Sequence, residues 1–97
     1  MVDETLLPSV NQSMQKYIEL QESISFEELK LILTEKLVYL LHYEMEKLMG
    51  LLYRIDVREK DTKAAFEQNN PKLIAPLLAQ AIIDREIEKA ISRRNNR

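Results

Sequence analysis

The chain has 97 residues, 45% of them hydrophobic and 31% charged, with a formal net charge of −2. One Gly, three Pro and no Cys describe a helix-forming chain of one domain, residues 1–97, poor in turn residues; they exclude disulfide staples, Cys-based zinc sites and thiol chemistry. The expected class is all-α: a small bundle of three to four helices around one long central helix, completed by oligomerisation.

The amino-terminal stretch MVDETLLPSV is acidic and lacks the basic start and apolar centre of a secretory signal, which fits a mature, soluble, cytoplasmic protein. Pro8 and Ser9 open a first helix expected over about residues 8–22, where Val10, Met14, Tyr17 and Ile18 make a thin apolar stripe. A stronger start signal follows in SISFEEL. Ser25 with Glu28 has the spacing of a capping box, and Ile24 with Leu29 that of a hydrophobic staple. From there no proline interrupts the pattern, and Gly50 alone costs only about 1 kcal/mol against Ala, so one helix of about 30 residues and about 45 Å is expected over about 25–55. Asp56 and Glu59 repeat the capping pattern, so about residues 57–68 form a short helix or a continuation after a kink. Asn69-Asn70-Pro71 starts a final helix to about residue 94, with Pro76 expected to bend its first turn or move its start to about Ala75.

Projected around its axis, the long helix spreads its apolar residues, from Phe26 to Ile55, over about 200°, roughly twice the stripe of a surface helix. Residues 31, 38, 45 and 52 with 41, 48 and 55 also fit a heptad seam, interrupted at Thr34. The segment LIAPLLAQAII, residues 73–83, is apolar all round except at Gln80, yet it is too short for a membrane span, which needs about 20 apolar residues. Beyond it the stripe narrows to Ile83, Ile87, Ala90 and Ile91, leaving Arg85, Glu86, Glu88 and Lys89 toward water. Four helices have difficulty surrounding both features, and a two-fold homodimer resolves that. The interface candidates are Leu37, Val38, Leu41, Glu44, Met45, Leu48 and Leu52 on the long helix, and Leu73, Ile74, Leu77, Leu78 and Ile82 on the final one. Glu44 points into the middle of the apolar arc, where an ionised carboxylate needs a basic or hydroxyl partner or interfacial water; Arg85, Lys72, or Lys47 or Arg54 of a second copy are candidates.

The sole histidine, His42, shares the opposite face with Glu35, Tyr39, Glu46 and Tyr53. A zinc or iron site there needs three or four protein ligands, and the di-iron Glu-x-x-His pattern fails because residue 39 is Tyr. A polar rim at a helix contact explains the same residues, so no metal and no cofactor is expected. No Gly-rich phosphate loop, serine elbow or second His supports catalysis, and the chain is read as a non-enzyme.

Charge is unevenly distributed. Residues 1–30 carry two Lys against six acidic residues, and residues 85–97 carry five basic residues against two Glu. Lys89, Arg93, Arg94 and Arg97 make a candidate basic patch for nucleic acid, but cations at a helix C-terminus also complement the macrodipole, and a basic end on an acidic protein can serve contacts between subunits. Three functional readings follow. The leading one is a non-enzymatic homo-oligomer acting as a protein-interaction or regulatory module, with a further protein partner possible. The second is a nucleic-acid-associated protein using the basic end. The third is a carboxylate and His metal enzyme around His42.

Overall fold

The computed structural model describes residues 3–96. Among them the chain is all-helical: a 3-10 turn at Glu4–Leu6, then α1 (Leu7–Met14), α2 (Phe26–Tyr43), α3 (Met45–Ile55), α4 (Glu59–Phe66) and α5 (Pro71–Asn95). Five α-helices replace the expected three to four, chiefly because the long central helix is two. α5 is the spine, packing most extensively on α2 and also meeting α1, α3 and α4. The body measures 40 × 25 × 25 Å, too short for a straight rod of about 45 Å. Among the described residues no helix is long and apolar enough to cross a membrane.

α1 ends at Met14, eight residues short of the expected end. A continued helix would turn Leu20 about 110° from the stripe of Leu7, Val10 and Met14. By leaving the helix, the chain buries Leu20 instead. Polar side chains of α1 and its end hold the returning segment: Asn11 Nδ2 donates to Ser23 O at 2.8 Å in a buried position, and Gln15 Nε2 to Leu20 O at 2.7 Å. Such side-chain bonds to backbone compete with helix continuation.

Ser25 caps α2, its Oγ accepting from Glu28 N–H at 3.0 Å. The expected staple does not form, because Ile24 is exposed. The helix then stops at Glu44, whose φ of −141° and ψ of 59° interrupt it without Pro or Gly. Glu44 N–H still donates to Leu40 O and Glu44 O accepts from Leu48 N–H, so the loss is confined to one turn. The gain is electrostatic and steric. A straight helix would drive the Glu44 carboxylate into the apolar arc, where an unpartnered charge is costly. At the break it is 39% exposed and lies 3.6 Å from Lys47 of its own chain. The break also lets α2 bury Phe26, Leu29, Leu33, Leu37 and Leu40 while α3 independently buries Leu48, Leu51, Leu52 and Ile55. A wide arc on one rod becomes two ordinary stripes on two short helices.

α3 ends at Asp56, in the left-handed region at φ 66°, a conformation Asp tolerates. Asp56 is thus a C-cap of α3 and not the expected cap of α4; Arg58 occupies that place without a side-chain cap. Asn70 caps α5 through Oδ1 and Lys72 N–H at 3.0 Å, and α5 runs through Pro76 from Pro71 without a displaced start. The all-round apolar segment of α5 is surrounded by its own chain along Ile74, Ala75, Leu78, Ala79, Ile82 and Ile83, and open on the other side at Leu73 and Leu77.

Candidate interaction surface

The interface candidates divide once the chain is folded. Leu37, Leu48, Leu52, Ile74, Leu78 and Ile82 belong to the chain's own core, because the break at Glu44 supplies the second covering layer that a straight helix lacks. Val38 and Leu41 are half-buried, as is Glu44. Met45, Leu73 and Leu77 are exposed.

Besides Leu73 and Leu77 on α5, open apolar side chains gather on α2 and α3, Met45 among them. Tyr39 and Tyr43 stand one turn apart with ring centroids 5.1 Å from each other, and the His42 ring lies 6.0 Å from Tyr43. His42 Nδ1 is 2.9 Å from Val38 O. A carbonyl only accepts, so Nδ1 carries the proton and donates back along the helix, which leaves Nε2 as the outward nitrogen. Among the described residues no group of three or more His, Asp or Glu is placed to hold a metal ion.

On α3, Met45, Met49 and Tyr53 repeat at i, i+4 and i+8 along the exposed side, and Tyr53 is 85% exposed. Two grooves flank this helix. One, of about 530 Å³, runs toward α4 and α5 and is lined by Met49, Leu52, Tyr53, Val57, Thr62 and Arg85 among others. The other, of about 250 Å³, lies toward α2 and the segment after α1, with Tyr17, Ile18, Tyr39, Glu44, Leu51 and Arg54 on its walls. α3 therefore stands as a ridge between two depressions, with thioether and aromatic groups along it. Flexible, polarizable Met and broad Tyr rings suit a surface that packs against protein.

The inner end of the ridge is tied down by α5. Arg85 Nε donates to Asp56 O at 2.9 Å and its Nη2 to Asp56 Oδ2 at 3.1 Å, while Lys89 Nζ donates to Ile55 O at 3.1 Å. Two cations one turn apart on α5 thus occupy the C-terminal carbonyl end of α3, where positive charge is favoured. Beneath them lies Glu86, with no exposed surface. Its Oε2 is 2.5 Å from Lys89 Nζ, although neither carboxylate oxygen receives an aligned hydrogen bond from the described residues. Lys89 also stands 5.0 Å above the Tyr17 ring. Glu86 is therefore not directed to water, as the pattern of Ile83, Ile87, Ala90 and Ile91 suggests. It lies within about 60° of Ala79, Ile82, Ile83 and Ala90, and this angle was the available signal.

Arg58 and Glu88 make a bidentate ion pair from the start of α4 to α5. Its guanidinium holds the Glu88 carboxyl below the ordinary value of 4.5, and the Arg58 side chain is raised in turn by the same hydrogen bonds.

The cations of the basic patch have partners within the chain, although Arg93 and Arg94 stay exposed. Lys89 is engaged as described, Arg93 Nη2 donates to Ser9 Oγ at 2.8 Å, and Arg94 donates to Thr5 Oγ1 at 2.9 Å and lies 3.3 Å from Asp3 Oδ2. The acidic start and basic end of the chain meet within one molecule. Arg97 lies outside the described residues. Asp3 is held below its ordinary 3.8 by the Thr5 hydroxyl first, then by the Thr5 amide and Arg94.

In comparisons with protein-family models, curated proteins and solved structures, nothing matches this chain.

Proposed function

We propose that the chain is a non-enzymatic helical module that self-associates, and that its role is to present or join protein surfaces. The observation that carries this reading is the outer side of α2 and α3, where Tyr39, Tyr43, Met45, Met49 and Tyr53 remain open while the core beneath is already closed by the chain's own helices. Exposed apolar residues scattered singly need no explanation, but residues repeating along one helix between two grooves form a continuous surface. The cations that a nucleic-acid reading requires are engaged with Ser9, Thr5, Asp3 and the end of α3, so they support that reading less.

Sedimentation equilibrium across the micromolar range tests the proposal. A concentration-dependent mass rising toward twice 11.4 kDa is the expected result. A single species at the monomer mass throughout that range, with the helical spectrum intact, overturns it.

A further inference from the structure

Gly50 is the only glycine of the chain and it sits in the middle of α3. Its φ is not positive, it is exposed, and a Cβ placed on it would meet no atom within 4 Å. Neither backbone conformation nor packing inside the chain calls for glycine, and glycine weakens a helix interior relative to alanine. What glycine permits at such a place is the close approach of another backbone. Its neighbours four residues away on either side are Glu46 and Arg54, both exposed. Among the described residues neither makes an ion pair.

The ridge Glu46, Gly50, Arg54 is its own complement when reversed end to end. Two copies of α3 crossing antiparallel at Gly50 about a two-fold axis bring Glu46 of each against Arg54 of the partner subunit. Both charges then find opposite charges, and one contact satisfies the isologous requirement that the same patch serve on both sides. Met49 and Tyr53 lie along one flank of the same ridge, where they cover the crossing point. We infer that α3 is the dimer contact of this protein, with a second copy of the chain as its occupant, Gly50 at the axis and reciprocal Glu46–Arg54 pairs beside it. This rests on the self-association proposed above and adds to it the face and the register.

The absence of cysteine makes the register directly testable. Gly50→Cys places one thiol at the axis, and disulfide formation requires Cα atoms within about 4.4–6.8 Å. Under mild oxidation Gly50→Cys is expected to give a covalent dimer, whereas Glu27→Cys at the exposed start of α2 is not. Separately, Glu46→Arg and Arg54→Glu each convert two attractions into two repulsions and are expected to weaken self-association by about tenfold. Mixing these two variants restores both pairs in a mixed dimer, at near-native affinity. Circular dichroism of each variant verifies that it folds. If the native chain is dimeric but Gly50→Cys fails to cross-link and the mixture fails to recover, the α3 register is overturned while self-association stands. If the native chain is monomeric at all micromolar concentrations, both are overturned.

Discussion

Glu86 Oε2 and Lys89 Nζ lie 2.5 Å apart, and the glutamate has no exposed surface whereas the lysine side chain keeps 21% of its own. The two sides of this pair are therefore unequal. Removing Lys89 leaves a buried carboxylate uncompensated and also frees Ile55 O at the end of α3; removing the Glu86 charge leaves a lysine that can turn to water. Lys89→Met is expected to cost about 2–3 kcal/mol of stability, and Glu86→Leu far less or nothing. Urea denaturation of the two variants measures the asymmetry, and equal losses would contradict it.

Acid provides an independent reading of the surface pairs. Glu88 is held below its ordinary 4.5 by Arg58, and Asp3 below its ordinary 3.8 chiefly by Thr5. A carboxyl with a depressed folded value contributes stability at pH above its ordinary value, and that contribution disappears as pH falls through the lowered one. Thermal midpoints are expected to decline below those ordinary values. Glu88→Gln, which cannot ionise, is expected to show a smaller decline than the native chain between about pH 5 and 3, a window that brackets those values.

The break at Glu44 distinguishes two glutamates only two residues apart. Glu44→Leu removes the charge whose burial a straight helix would require, so the residue is free to enter the apolar arc and the break loses one of its causes. Glu46 is exposed on α3, away from the core. Monitored by hydrogen exchange at dilutions that keep the chain monomeric, Glu44→Leu is expected to slow exchange of the Met45, Glu46 and Lys47 amides, which lack helical acceptors in the native turn; Glu46→Leu is expected to leave them unchanged there. Unchanged exchange in Glu44→Leu would place the cause of the break in packing alone.

Arg93 and Arg94 make their contacts with Ser9, Thr5 and Asp3 across the two ends of the chain. If these contacts occupy them in solution, the native chain is expected to bind DNA weakly at low salt, and Asp3→Ala is expected to release Arg94 and increase that binding. Retention on immobilised DNA along a salt gradient measures both. Strong native retention, unaffected by Asp3→Ala, would favour the nucleic-acid reading.

What could be read from the sequence was local. Ser25 and Asn70 announce helix starts because a cap acts on amides two or three residues away, and the helical class follows from a chain rich in helix formers with one Gly and three Pro. The division of α2 from α3 was hidden, since it answers a tertiary conflict: a rod longer than the body and a carboxylate aimed at its core, with no Pro or Gly to mark the place. The break has consequences along the whole core. A straight helix leaves Leu48, Leu52, Leu78 and Ile82 in need of a second subunit, whereas the broken one buries them within the chain. Glu86 is concealed for another reason. The sequence stripe runs through Ile87 and Ile91, yet Ile91 is 42% exposed and the buried line runs through Ile82, Glu86 and Ala90. Small alanines on both sides of a glutamate, with Lys89 one turn on, were the trace of a buried pair.

The central claim is that copies of this chain meet through the outer side of α2 and α3. Light scattering at micromolar concentration on the native chain beside Met49→Lys tests it most directly, since Met49 is exposed and its replacement spares the core. A native mass near twice 11.4 kDa that falls to the monomer value in Met49→Lys, with unchanged helicity, is the expected result. A native monomer, or a dimer that Met49→Lys leaves intact, would contradict it.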